Sequence, residues 1–265
     1  MKIKTTFLLL CFPILIIAQQ STTNAPGDAF EEKDEPVRQK IMWVSPGTAG
    51  NCQVWNFSHA TVYNDRSPGN QKETGDEWLT GREKETLHHY FLSGDSLFCT
   101  GYENEMTSVR YSQPQLLLCF PIDYVKSFQE EFKGRGRFSD RLEMTLTGTV
   151  SSLVDGWGKL ILPGGNMLEN VFRVHTVIRS LRETAPLSRN FDIYAPVDDR
   201  TGEPKDSQNT SWIVESIYQW YVAGTRYPVF ETQETRIMNE NEPVIIQRST
   251  FIYPAGGQEH YPENK

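Results

Sequence analysis

The sequence predicts an all-β protein, an antiparallel sandwich or half-open β-barrel with few or no helices. Three observations carry this expectation. Apolar and polar residues alternate with period two over long stretches. Turn residues punctuate those stretches at Ser67-Pro68-Gly69-Asn70, Gly134 to Gly136, Pro163-Gly164-Gly165-Asn166 and Ala223-Gly224. No window carries the 3.6-residue apolar period of a useful amphipathic helix. Antiparallel strands joined by short turns bury their apolar faces by closing as a sandwich or a barrel.

The chain begins with MKIKTTFLLLCFPILIIA, residues 1–18. Lys2 and Lys4 precede an apolar run from Phe7 to Ile17, and Ala18 supplies a small residue before Gln19. This is the charge, apolar and small-residue order of a secretory signal peptide. The run is shorter than the roughly 20 residues that span a bilayer. A lipoprotein signal through Cys11 is the weaker alternative, because Leu10 stands where a small residue belongs. Export to the periplasm, the outer membrane or the cell surface follows, with no transmembrane segment after signal removal.

Residues 19–37 are polar, with Pro26, Gly27, an acidic cluster and Pro36, and predict a flexible leader. Residues 38–254 predict a single β-rich domain, and residues 255–265 a disordered tail. Glu83 to Phe91 fits either a short helix or the end of a strand before Gly94. Leu142, Met144 and Leu146 alternate with Glu143, Thr145 and Thr147, a strand with one apolar face. Leu160 to Leu162 and Val171 to Ile178 predict two antiparallel strands around the loop Pro163 to Asn166. Asp155 precedes Gly156-Trp157-Gly158, where its carboxylate is expected to cap a turn. Glu183 to Thr210, with three prolines, is the longest expected loop. Trp212, Val214, Tyr218, Trp220 and Val222 fall on one parity. Val244 to Ile246 and Phe251 to Tyr253 read as closing strands.

Charge and cysteine usage exclude several classes. Removing residues 1–18 takes two of the 26 basic residues and none of the 34 acids, moving the net charge from −8 to about −10. An acidic chain without a basic block does not suit nucleic acid, whose binding rests on neutralising phosphates. Cys52, Cys99 and Cys119 remain after cleavage, allowing one disulfide at most, with the pairing open. Their spacings match no zinc pattern.

Catalytic signatures are absent from the sequence. There is no G-x-S-x-G, no H-E-x-x-H, no phosphate loop and no dinucleotide fingerprint. His88 and His89 are adjacent and on a strand point to opposite faces. No cofactor and no metal is implied. The acids Asp123, Glu130, Glu131, Glu143, Asp155 and Glu231 leave open a carboxylate pair for glycan hydrolysis, which requires two of them to converge in space. Arg173 and His175 lie on the polar parity of a strand whose other face is apolar, and Trp157, Trp220 and Tyr221 are aromatics able to stack on a sugar or line an apolar cavity. These five are the candidate binding residues.

Trp55-Asn56-Phe57, Gly101-Tyr102-Glu103-Asn104, Phe120-Pro121, Gly134-Arg135-Gly136, Leu160 to Pro163, Asn170 to His175 and Tyr218 to Glu231 occur in an order that resembles a family of uncharacterised exported β-rich proteins of the Bacteroidetes, Bacteroides-type. The resemblance spans most of the mature chain and implies compartment and fold, with no particular chemistry. A looser architectural likeness runs to periplasmic β-barrels of the lipoprotein-carrier type. The expectation is therefore a non-enzymatic binding or cell-envelope protein that holds a small apolar or glycan ligand. The alternatives are a carboxylate-dependent glycan hydrolase and a structural subunit of a surface assembly.

Overall fold

A computed structural model describes residues 38–61, 87–197, 209–223, 225, 227–239 and 242–253. The expected signal peptide, leader and tail, and the Ser67 to Asn70 turn, lie outside the described residues. What is described is all-β. Eleven strands form one sheet in the order β1-β11-β10-β9-β8-β7-β6-β5-β4-β3, with β2 paired to β7 off that path. The strands are β1 Gln39–Ile41, β2 Gly50–Asn56, β3 Leu87–Ser93, β4 Ser96–Glu103, β5 Thr107–Cys119, β6 Ser127–Phe138, β7 Leu142–Ile161, β8 Met167–Pro186, β9 Asn209–Tyr221, β10 Phe230–Asn239 and β11 Glu242–Ile252. Every pairing on the main path is antiparallel, and only β2 runs parallel to its partner.

The sheet curls without closing into a barrel. Leu97 on β4 and Tyr221 on β9 pack on the same cluster of Leu118, Phe120, Ile122, Val154 and Val174. The charge of Arg38, beside β1, reaches His88 on β3, although these strands lie at opposite ends of the sheet order. In a flat sheet they would stand about 43 Å apart, at about 4.8 Å per strand. The concave face carries two further apolar clusters, one of Leu116, Phe132, Val150 and Ile178 and one of Val109, Met144 and Leu146.

The two longest strands, β7 and β8, each of 20 residues, form a hairpin around the expected turn at Pro163 to Asn166. Gly164 and Gly165 both take φ of 87°, a conformation glycine adopts without strain. Expected boundaries shift elsewhere. Gly134 to Gly136 lies inside β6 and forms no turn. A Cβ on Gly134 would stand 2.7 Å from the Arg110 carbonyl oxygen and from the Tyr111 ring, so the glycine permits close strand approach. Asp155 to Gly158 likewise lies within β7, at two register shifts that act as β-bulges. The two expected closing strands are one, β11. The choice between helix and strand before Gly94 resolves in favour of a strand from Leu87 onward, where β3 begins. The expected long loop starts only after Pro186, because β8 continues that far.

A second apolar layer covers the outer face at one end. Ile41, Trp55, Phe57, Leu160, Val171, Trp220, Val229 and Phe230 form it. Residues 38–61 supply its lid: the chain leaves β1 and crosses the outer face, where Val44 N–H donates to Thr250 Oγ1 at 3.1 Å. It then returns as β2 alongside the far half of β7. The period-two pattern of β9 is therefore apolar on both parities near Trp220, which is 0% exposed.

Candidate functional site

The crossing and β2 enclose an open groove of about 660 Å³, lined by residues 42–45, 47, 48, 53–57 and 59–61. Its floor is rooted in the core. Phe57 stacks on Phe230 with ring centroids 4.5 Å apart and meets Trp220 edge-on at 5.4 Å. Trp55 meets Trp220 edge-on at 5.9 Å, and its indole N–H donates to the Thr48 carbonyl at 3.1 Å. Met42, Trp43 and Val54 line the groove yet stay 51%, 39% and 60% exposed. Three exposed apolar side chains thus gather beside a buried aromatic floor.

Arg173 holds the crossing in place. It is 1% exposed, and its guanidinium grips both oxygens of Asp155, with Nε to Oδ1 at 2.7 Å and Nη2 to Oδ2 at 2.9 Å. The remaining nitrogen, Nη1, donates to the carbonyls of Pro46 at 2.7 Å and Gly47 at 3.2 Å. Trp55, Tyr218 and Trp220 surround the cation at 5.3, 5.0 and 5.7 Å. A planar fork with five donors suits this combination, whereas an ammonium matches only part of it. Asp155 thus caps no turn: the bulge between Val154 and Gly156 aims its carboxylate at Arg173, and an Arg fork outcompetes backbone N–H groups for it.

His175 lies two residues further along β8 on the same outer face. Its ring stacks on Tyr218, centroids 4.0 Å apart and planes 3° from parallel, and Nε2 shares a 2.9 Å hydrogen bond with Ser216 Oγ. Burial lowers its pKa below the usual imidazole value, with the Asp155 carboxylate opposing and Arg173 reinforcing the shift.

The five residues singled out from sequence divide between two faces. Arg173 pairs across strands with Gly156 and Trp220, and His175 with Tyr218, on the outer face. Trp157, Phe172 and Tyr221 form the neighbouring row and point the other way, into the concave face. There the Tyr221 hydroxyl donates to Gln219 Oε1 at 2.9 Å, and Gln219 Nε2 donates to Glu231 Oε2 at 2.7 Å. Burial pushes the Tyr221 hydroxyl well above the ordinary tyrosine value, with the Glu231 charge adding to it. None of the five lines the groove. Arg173 and Trp220 stand behind its wall and floor, so they position the site without facing it.

Of the residues that do line it, Trp55-Asn56-Phe57 stand out in the sequence only as a motif of the resemblance, and Met42, Trp43 and Val54 give no signal, because the first two lie outside any strand and β2, which holds Val54, shows no apolar alternation. Asp155, Glu143 and Glu231 do not converge either. Asp155 and Glu143 lie twelve residues apart on β7, about 40 Å at 3.3 Å per residue, against the 5–9.5 Å a glycosidase pair needs. Glu231 sits on the opposite face, held by Gln219 and by the Tyr253 hydroxyl at 3.0 Å. Among the described residues no group of three His, Cys, Asp or Glu is placed to hold a metal, and no helix is long and apolar enough to cross a membrane. Cys52, Cys99 and Cys119 are all free thiols.

No family model matches this chain, and no curated protein and no solved structure matches it. The class rests on the geometry: an all-β, half-open curled sheet whose outer face carries a strapped-down groove.

Proposed function

We propose that this is an exported, non-enzymatic binding protein of the cell envelope that holds a small apolar or glycan ligand in the groove between the 42–48 crossing and β2. The observation that carries the reading is the groove itself, with open apolar side chains over an aromatic floor. Its volume of about 660 Å³ falls in the range of about 300–1,000 Å³ typical of small-ligand sites. Preorganisation supports the reading too. The Asp155–Arg173–Pro46 linkage fixes one wall before any ligand arrives, which lowers the ordering cost of binding.

Export is supported by the basic, apolar and small-residue order of residues 1–18, and the motif order that resembles exported Bacteroidetes proteins supports a periplasmic or surface location. Native mass spectrometry of the protein purified from its own envelope tests the reading. The expected spectrum carries an adduct that denaturation releases. A bare mass, together with no binding across glycan and lipid arrays, would contradict it.

A further inference from the structure

Resting on the reading of the groove as a ligand site, we propose that its ligand is a neutral glycan stacked on Trp43, and that Glu234 and Arg248, outside the groove, fix the pose of that indole.

The lining excludes the other ligand classes. Among the fourteen lining residues none is Asp, Glu, Lys or Arg and His59 is the one ionisable side chain, so a charged ligand finds no permanent counter-charge in the lining. An acyl chain fits no better. It would desolvate Ser45, Thr48, Gln53 and Asn56 without offering them a hydrogen bond. Amides and hydroxyls beside an open indole instead match a sugar ring, which presents hydroxyls at its edge and C–H groups on its face. Gln53 and Asn56 are already oriented: Gln53 Oε1 accepts from Thr48 Oγ1 at 3.0 Å, and Asn56 Oδ1 accepts from Ser58 Oγ at 2.7 Å.

Trp43 is the platform. The Arg248 guanidinium lies over its ring at 4.8 Å from the centroid, while 39% of the residue stays exposed. Arg248 is itself anchored, with Nε donating to Glu234 Oε2 at 2.6 Å. The same carboxylate accepts from Arg236 Nε at 2.6 Å. Those two guanidinium partners hold the Glu234 carboxyl below its usual pKa, so the anchor persists in mildly acidic solution. Neither Glu234 nor Arg248 belongs to the lining, which makes Arg248 a positioning residue.

Isothermal titration of the full chain with cello-, malto-, manno-, xylo- and galacto-hexaose, and with hexagalacturonate and palmitate, tests the proposal. A neutral hexasaccharide is expected to bind while the last two do not. Trp43→Ala is expected to weaken that binding about tenfold and Arg248→Met about threefold, with Arg248→Lys intermediate because it keeps the cation. Arg248→Met is also expected to shift the tryptophan emission of the unliganded protein. Tighter binding of palmitate or hexagalacturonate, abolished by Val54→Arg, overturns the glycan class and leaves the groove as the ligand site. Neutral-sugar binding that survives Trp43→Ala overturns the stacking. No binding by any probe overturns both.

Discussion

Arg173 and Asp155, eighteen residues apart, are joined by two hydrogen bonds of 2.7 and 2.9 Å in a layer where Arg173 is 1% exposed. Their pairing leaves one guanidinium nitrogen to hold Pro46 and Gly47. A buried ion pair is weak support for net stability, yet it is costly to break from one side. It is therefore read as a locating device for the crossing.

Arg173→Met is expected to destabilise the fold by about 3–5 kcal/mol, because it strands Asp155 in a dry layer. Arg173→Met combined with Asp155→Leu should cost clearly less. Urea unfolding of the two variants checks this, and equal losses would mean that the charge pair is not the controlling interaction.

Gly158 has φ of +157°, and a Cβ there would stand 2.0 Å from the Gln53 carbonyl oxygen of the parallel strand β2. Gly158→Ala is expected to cost about 3 kcal/mol through that clash. Gly165→Ala, in the open β7–β8 turn, meets no neighbour and should cost about 1 kcal/mol from backbone strain. Thermal melts that place the two substitutions at equal cost would refute the close approach of β2.

Acid sensitivity follows from His88. Burial, then the Arg38 and His89 charges, lower its pKa from 6.5 to about 4, while its ring stacks against Tyr90 and Tyr102. The folded state thus favours the neutral ring and the unfolded state binds the extra proton. The stabilisation is present above pH 6.5 and fades as pH falls towards 4. His175 shifts in the same direction. His88→Gln should flatten the stability profile between pH 6.5 and 4 in urea titrations, and an unchanged slope would assign the acid limb to other groups.

Thiol reactivity should separate the cysteines. Cys52 is exposed, whereas burial pushes the 4% exposed Cys99 thiol up to about 11. Iodoacetamide at about pH 8 is expected to label Cys52 in the native protein and Cys99 only after unfolding, as peptide mapping would reveal. Native labelling of Cys99 would contradict its burial.

Much of the fold was legible in the residues. Alternation in Leu142 to Leu146 and Phe172 to Ile178 marked true strand faces, since their apolar parity fills the concave side. Pro163 to Asn166 marked the hairpin because two glycines at positive φ need a turn there. Glycine misled at 134–136 and 156–158, where it serves close contact between neighbouring backbones and side chains. A local pattern does not distinguish that use from a turn. Arg173 looked like a pocket residue because it sits on a polar parity. Its burial depends on residues 42–55 folding over it from more than a hundred positions upstream, a contact no strand period encodes. For the same reason Met42, Trp43 and Val54 gave no signal as a group until the crossing bent around them.

Hydrogen exchange, comparing the protein as isolated from its own envelope with the same protein unfolded, stripped and refolded, tests the groove most directly. Slower exchange confined to residues 42–61 in the isolated form is the expected result. Identical exchange in the two forms, or protection located on the concave face around Tyr221 and Glu231, would contradict the groove as the binding site.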